Sequence, residues 1–342
     1  MINLGRNLEA AVAALQAGEL VAFPTETVYG LGADASNPAA VAKIFAAKGR
    51  PADHPLIVHL PGADALEHWA REIPEAAYKL AAAFWPGPLT LILKRQPQVP
   101  DAVTGGQDTV GLRVPDHRLA LALLRSFDDV QGNIGAGLAA PSANRFGRIS
   151  PTTSAHVREE LGERVQVILD GGPCQVGIES TIVDLSGGQP RILRPGAIGR
   201  EALERVLGQP LDTQTQPASD TTTPRVSGAL AAHYAPRTPL RLVSAADLPS
   251  VLNAALQAGQ RCAVLALQAQ QPAEPAKLSS NYRWLQMTDR AADYAQALYA
   301  TLRRCDAEQL DLILLETPPG DEAWRAVNDR LQRAACGSCA TG

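Results

Sequence analysis

Apolar residues fall along this chain in two alternating rhythms. From Asn7 to Gln16 they recur at helical spacing, with an asparagine to cap the start and Gly18 to stop the end. An apolar run at 20–23 follows, with the length and composition of a buried strand. A second helix is predicted from Ser36-Asn37-Pro38, where cap residues precede a first-turn proline. It carries Val41, Ile44 and Phe45 on one face and ends at Gly49. Further strands are predicted at 56–60, 89–93, 109–114, 165–169, 180–185 and 191–193, and helices at 75–84 and 117–126. This alternation predicts an α/β fold with a mixed sheet rather than a strict βαβ repeat.

From 208 to about 223 the composition shifts to Gln, Pro, Thr, Ser and Asp, which marks a linker. Beyond it a second, smaller α/β rhythm appears, with strands at 240–243, 262–267 and 310–315. Its helices are predicted at 245–258, near 291–305, and in a last segment reaching 335. The expected organisation is one domain over 1–207, a linker over 208–237 and a C-terminal Rossmann-like α/β domain over 238–342.

Composition changes this picture mainly by exclusion. A chain of 342 residues suits two cores rather than one. With 46% hydrophobic and 19% charged residues it is an ordinary globular protein. The net charge of −4 leaves no overall footprint for nucleic acid or a membrane surface, although a local basic cleft is compatible with it. No apolar run is long enough to span a bilayer, and the first residues do not open a signal peptide. Five scattered cysteines fit a reducing cytoplasm, the expected location. Cys336 and Cys339 have redox- or zinc-like spacing, but with no second ligand pair they are taken for a frayed tail.

The candidate chemistry gathers at strand ends. Phe23-Pro24-Thr25-Glu26-Thr27-Val28-Tyr29-Gly30-Leu31-Gly32 turns an apolar strand into a hydroxyl-rich loop closed by glycines, the way an open α/β sheet builds a binding site. Lys48-Gly49-Arg50-Pro51 sets two cations just after a helix. An isolated pair there would be a solvated helix end, but His54-Pro55-Leu56-Ile57-Val58-His59 follows at once. Thr109 to Arg113, Pro141-Ser142-Ala143-Asn144, Gly177 to Asp184 and Arg194-Pro195-Gly196 repeat the pattern of hydroxyls, amides and arginines at strand ends. There is no P-loop, and the glycines from Gly132 to Gly137 lead into a strand ending rather than a helix, which argues against a dinucleotide fingerprint.

In order and spacing these segments resemble the YrdC/Sua5 family of threonylcarbamoyl-AMP synthases over nearly all of residues 1–200. The second domain and His233-Tyr234-Ala235-Pro236 resemble the long, two-domain Sua5 form. The resemblance implies a twisted open sheet with a large basic cavity. It also implies a nucleotidyltransferase that condenses L-threonine, bicarbonate and ATP into threonylcarbamoyl-AMP and pyrophosphate for modification of tRNA adenosine 37. By resemblance, Thr25, Tyr29, His59, Thr109, Arg113 and Ser180 hold threonine, with Arg50 near its carboxylate. Lys48, Arg50, Ser142, Asn144 and Arg194, with His233 and Tyr234, hold ATP, and Lys48 and Arg50 are the catalytic cations. Mg2+ is expected with the phosphates. The expected partner is a downstream threonylcarbamoyl transferase complex, with neither stable direct tRNA binding nor a membrane required.

This chemistry suits the residue types, because in-line attack on an α-phosphate calls for positioning and charge neutralisation rather than a covalent nucleophile. The sequence departs from the family pattern at His54, where asparagine is usual. It also departs at Ser227-Gly228-Ala229-Leu230-Ala231-Ala232, which lacks the usual proline, methionine and cations. The linker is expected to close the cavity as a lid. A carbamoyltransferase of the hydrogenase-maturation type uses a similar module but with domains upstream. A non-catalytic binder of double-stranded RNA or tRNA is the alternative of another class, opposed by the acidic charge and the lack of aromatic stacking motifs.

Overall fold

The fold is described from a computed structural model covering residues 4–211, 223–271 and 281–339. Two compact units emerge: 1–146 with 150–229, and 147–149 with 230–342. The core of the predicted linker, 212–222, lies outside the described residues; 223–229 cluster with the first unit and 230–237 with the second.

The first unit opens with α1 (Leu4–Gln16), β1 (Val21–Phe23), β2 (Gly30–Asp34), α2 (Pro38–Lys48), β3 (Ile57–His59) and α3 (Leu66–Trp69). It continues with α4 (Glu75–Phe84), β4 (Leu89–Lys94), α5 (Asp101–Thr104), β5 (Thr109–Arg113) and α6 (Arg118–Val130). It closes with β6 (Leu138–Ala139), α7 (Ser154–Leu161), β7 (Val167–Ile168), β8 (Thr181–Asp184), β9 (Arg191–Arg194) and α8 (Arg200–Leu207). The strands form one mixed sheet in the order β7-β1-β2-β6-β3-β5-β4-β8-β9.

Strand alternation sorts the two faces of this sheet. Val58, Leu112, Leu91 and Val183 stand in register and face a core built with Val41 and Ile44 of α2, Leu80 of α4 and Leu203 of α8. On the opposite face, α1 and α6 pack Leu15, Leu123 and Phe127 against Val21, Phe23 and Leu138. That apolar cover stops near β3, where the Phe23 ring meets His59 edge-on at 5.9 Å. Beyond it the same face carries Ile57, His59, Gly111, Arg113, Thr90, Ile92, Ile182 and Arg194. One sheet face is thus half core and half polar surface, and the polar half is where a site can form.

Local signals in α2 hold as predicted. Asn37 accepts from the N–H groups of Ala39 and Ala40, Pro38 sits in the first turn, and Gly49 ends the helix in the left-handed region at φ 63°. That turn keeps Lys48 and Arg50 both buried instead of splaying them as a solvated helix end.

The closing glycines of the first loop are a strand, β2, rather than part of the loop. Gly32 packs beneath Phe23, and a Cβ there would lie 2.8 Å from a ring carbon, so glycine marks a close approach within a strand. The short α3 and α5 and helices α7 and α8 were also not predicted.

The second unit contains β10 (Leu240–Val243), α9 (Leu248–Gln257), β11 (Cys262–Ala266), β12 (Tyr282–Gln286), α10 (Ala291–Ala307), β13 (Leu312–Glu316) and α11 (Arg325–Cys339). Its all-parallel sheet has the order β10-β13-β11-β12. Strand β12 escaped prediction because Tyr-Arg-Trp-Leu-Gln at the sheet edge is half exposed and short of apolar alternation. The Cys336–Cys339 segment is helical rather than frayed: α11 runs through it, and the buried Ser338 Oγ accepts from Leu240 N at 2.9 Å. Among the described residues no helix is long and apolar enough to cross a membrane.

Candidate active site

The loop after β1 is organised by its own hydroxyls. Thr25 Oγ1 donates to Val28 O at 2.6 Å and accepts from Val28 N at 3.2 Å, a side-chain turn that leaves Thr25 buried. Tyr29 is fully buried; its hydroxyl donates to Gly172 O at 2.8 Å and accepts from Gly171 N at 3.2 Å. Burial pushes this phenol's pKa up, so it acts as a neutral hydrogen-bonding group. The backbone beside it is stitched to the Ser142 loop through Leu31 N–Pro141 O and Ala143 N–Tyr29 O.

Lys48 is 4% exposed. Its Nζ donates to Ser142 O and Asn144 O, both at 2.5 Å, so it fixes the loop presenting those two residues. Burial, then the neighbouring Arg50 charge, holds its pKa well below the usual lysine value.

Arg50 Nη2 reaches Pro55 O at 2.9 Å and Ser227 Oγ at 3.1 Å. Its guanidinium lies 5.8 Å over the Phe146 ring, which also meets His54 edge-on at 5.3 Å. Arg194 binds Ser180 O and Oγ and also donates to Ser227 O at 2.8 Å. Ser180 Oγ lies 2.7 Å from Thr90 Oγ1. Arg50, Arg194, Ser180 and Thr90 thereby converge, and Ser227 spans the two arginines.

Segment 225–227 lies across the polar half of the sheet. Gln107 grips its backbone from both sides, accepting from Arg225 N at 2.6 Å and donating to Arg225 O at 3.2 Å. Beneath it, between Ile57, Ile92, Thr109, Gly111 and Ile182, about 10 Å³ remains, scarcely room for one water. At this place the chain's own segment 225–227 covers the sheet.

His59 is buried at the end of β3, paired in register with Arg113 of β5. Burial first, then the Arg113 charge, lowers its pKa from 6.5 to about 3. It is therefore neutral at physiological pH. Since the unfolded chain takes up this proton below 6.5 and the folded chain does not until about 3, stability should fall with pH across that window. His59→Gln should flatten this part of the acid limb; a calorimetric transition of the first unit, followed from pH 7 to pH 4, that declines as steeply as wild type would refute it.

His233 and Tyr234, expected at the nucleotide, belong to the second unit. Tyr234 has φ 61°, is 1% exposed, stacks on Tyr299 at 5.8 Å and lies under the Arg330 guanidinium at 5.4 Å. The His233 ring meets it edge-on at 4.2 Å. The Tyr234 ring is thus enclosed by residues of its own unit, and sequence spacing could not reveal that enclosure. Sequence reading also left Glu26 without a role and passed over Thr90 and Gln107. The one available signal was a lone carboxylate within a hydroxyl loop.

Strand ends lined by buried cations and hydroxyls, with no covalent nucleophile poised among the described residues, define an enzyme class that positions and neutralises a phosphorylated substrate. Residues 13–196 match the Sua5–YciO–YrdC family model, described as telomere recombination, and residues 198–336 match the threonylcarbamoyl-AMP synthase C-terminal domain. The chain belongs to the YrdC/Sua5 family of threonylcarbamoyl-AMP synthases, in its two-domain form.

It is 41% identical over 334 residues to the threonylcarbamoyl-AMP synthase of Bacillus subtilis, covering 96% of this chain and 92% of the relative. To the Pyrococcus abyssi enzyme it is 37% identical over 327 residues, covering 94% and 92%. The structure of Pyrococcus abyssi Sua5 complexed with L-threonine superposes with a TM-score of 0.87 at 36% identity, over 99% of this chain and 96% of that one.

Proposed function

We propose that this chain condenses L-threonine, bicarbonate and ATP into threonylcarbamoyl-AMP and pyrophosphate, at the polar half of the first unit's sheet. The observation that carries this reading is the convergence of Arg50, Arg194, Ser180 and Thr90 beneath Ser227. The threonine amine and bicarbonate lose water to form a carbamate. A carbamate oxygen then bonds to the α-phosphorus as the bond to the β-phosphate oxygen breaks and pyrophosphate leaves. Two arginines able to offer forked donors suit the charge that develops on those oxygens.

Arg50 and Arg194 hold the phosphates in this reading, and Ser142 and Asn144 address phosphate or ribose from the loop that Lys48 fixes. Thr109, His59, Arg113 and Ser180 surround the threonine, while Thr25 and Tyr29 shape the wall behind it. Ser227 occupies the place of substrate oxygens between the arginines, so segment 225–227 acts as a lid that lifts to admit ATP. Among the described residues no group of three His, Cys, Asp or Glu side chains could hold a metal ion. Mg2+ would enter as part of the MgATP substrate and would offset the phosphate charge. The product passes to a separate threonylcarbamoyl transferase, and the enzyme itself has no need to bind tRNA.

Pyrophosphate release by the purified chain tests this directly. It should require threonine and bicarbonate together with MgATP. Tight tRNA binding in a gel shift, with no release under any combination, would favour an RNA-binding module instead.

A further inference from the structure

Glu26 is 4% exposed and carries its carboxylate into the centre of the first unit. One oxygen accepts from Arg113 Nη2 at 2.5 Å and the other from Asp116 N at 3.0 Å. Its own carbonyl accepts from Val176 N at 2.7 Å, so both its ends are tied to elements other than its own loop. Arg113, equally buried, spends Nε on Gly87 O at 3.2 Å. Among the described residues its Nη1 has no hydrogen-bond partner. The guanidinium is therefore fixed along one edge by a carboxylate and a carbonyl, with one donor arm left over, next to His59 on the polar face of the sheet.

We propose that Glu26 is a positioning residue for substrate: it orients Arg113 so that the remaining Nη1 arm meets the threonine carboxylate. This rests on the assignment of Arg113 to threonine made above. A lone guanidinium buried at this depth would be poorly solvated and rotationally free. Glu26 removes both problems, because the pair is neutral and a fork held at Nη2 and Nε has a single orientation. The orientation in turn depends on the chain turn at Asp116, which Glu26 also binds. The hydroxyl-rich loop after β1 thus contributes to threonine recognition through its one carboxylate.

The test is a double-mutant cycle on Glu26 and Arg113, reading KM for L-threonine and for MgATP separately in pyrophosphate release, with melting temperature alongside. Glu26→Gln keeps the shape and loses the charge, and should raise the threonine KM about 10- to 100-fold, the scale of a misplaced positioning group. The MgATP KM should stay within about twofold, since the phosphate arginines are untouched. Arg113→Ala should raise the threonine KM at least as much, and adding Glu26→Gln to it should change nothing further.

Additive effects in the double variant would show that Glu26 acts by another route and overturn the proposal. Equal losses toward threonine and MgATP, with a collapsed melting temperature, would reduce Glu26 to a packing role and overturn it too. An Arg113→Ala enzyme with a normal threonine KM would instead refute the assignment of Arg113 on which the proposal rests. If Glu26→Gln does not fold, Glu26→Asp decides by the same criteria. It keeps the charge but shortens the reach, so it should show the threonine-only defect at smaller amplitude, and its absence would overturn the proposal.

Discussion

Replacing Arg50 with alanine should lower kcat for threonine-dependent pyrophosphate release by about 10²–10³-fold, the usual cost of one preorganised donor at a developing charge. The fold should survive. Arg50 spends Nη2 on Pro55 O and Ser227 Oγ, and these two are already bonded to each other at 2.8 Å, so its loss leaves both partners satisfied. Arg50→Lys restores the charge but not the planar fork, and should recover only part of the rate.

Lys48→Ala cannot make this separation. It strips the Ser142 and Asn144 carbonyls of their shared donor and should lower stability and activity together. Initial rates of pyrophosphate release set beside thermal melts check both cases. A kcat for Arg50→Ala within about threefold of wild type would place the phosphates elsewhere.

The largest loss of stability is expected in the second unit, from Glu316→Ala. Glu316 ends β13, is 2% exposed, and accepts from three consecutive backbone groups beyond β11: Leu267 N at 2.7 Å, Gln268 N at 3.0 Å and Ala269 N at 2.9 Å. Open α/β sheets commonly place a ligand outside the carboxyl ends of their strands, where connections diverge. Here the chain's own carboxylate fills that crevice between β13 and β11.

Alanine leaves three donors without this acceptor; Leu267 N is buried while Gln268 and Ala269 reach solvent, so the cost should be about 1–3 kcal/mol. Glutamine keeps one acceptor oxygen and should lose less. Because the chain has two units, one melting temperature does not describe it. Hydrogen exchange at 267–269 and the calorimetric transition of the second unit are the appropriate readouts. Protection in Glu316→Ala equal to wild type would refute the account.

Much of this molecule was legible before folding. Helix α2 announced itself through Asn37, Pro38 and Gly49 because capping is local chemistry. The strands carrying His59 and Arg113, and the one that follows Ser180, were visible because a buried strand needs an apolar run wherever it sits. Strand β2 was not, because its glycines answer to the Phe23 ring, a neighbour across the sheet. Glu26 had no role in the sequence for the same reason: its partner is 87 residues away.

The sequence by itself determined the local elements, the two-part division of the chain and the inventory of cations and hydroxyls at strand ends. Each follows from interactions within a few residues, or from residue types that only one kind of chemistry employs. The tertiary structure alone decided how that inventory is spent. It sends Lys48 inward as a loop fastener, leaves Arg50 and Arg194 bridged by Ser227, pairs Arg113 with Glu26, and encloses Tyr234 between Tyr299 and Arg330. A side chain's partners depend on which distant segments meet it and on how much water they exclude, and neither quantity is written in local order.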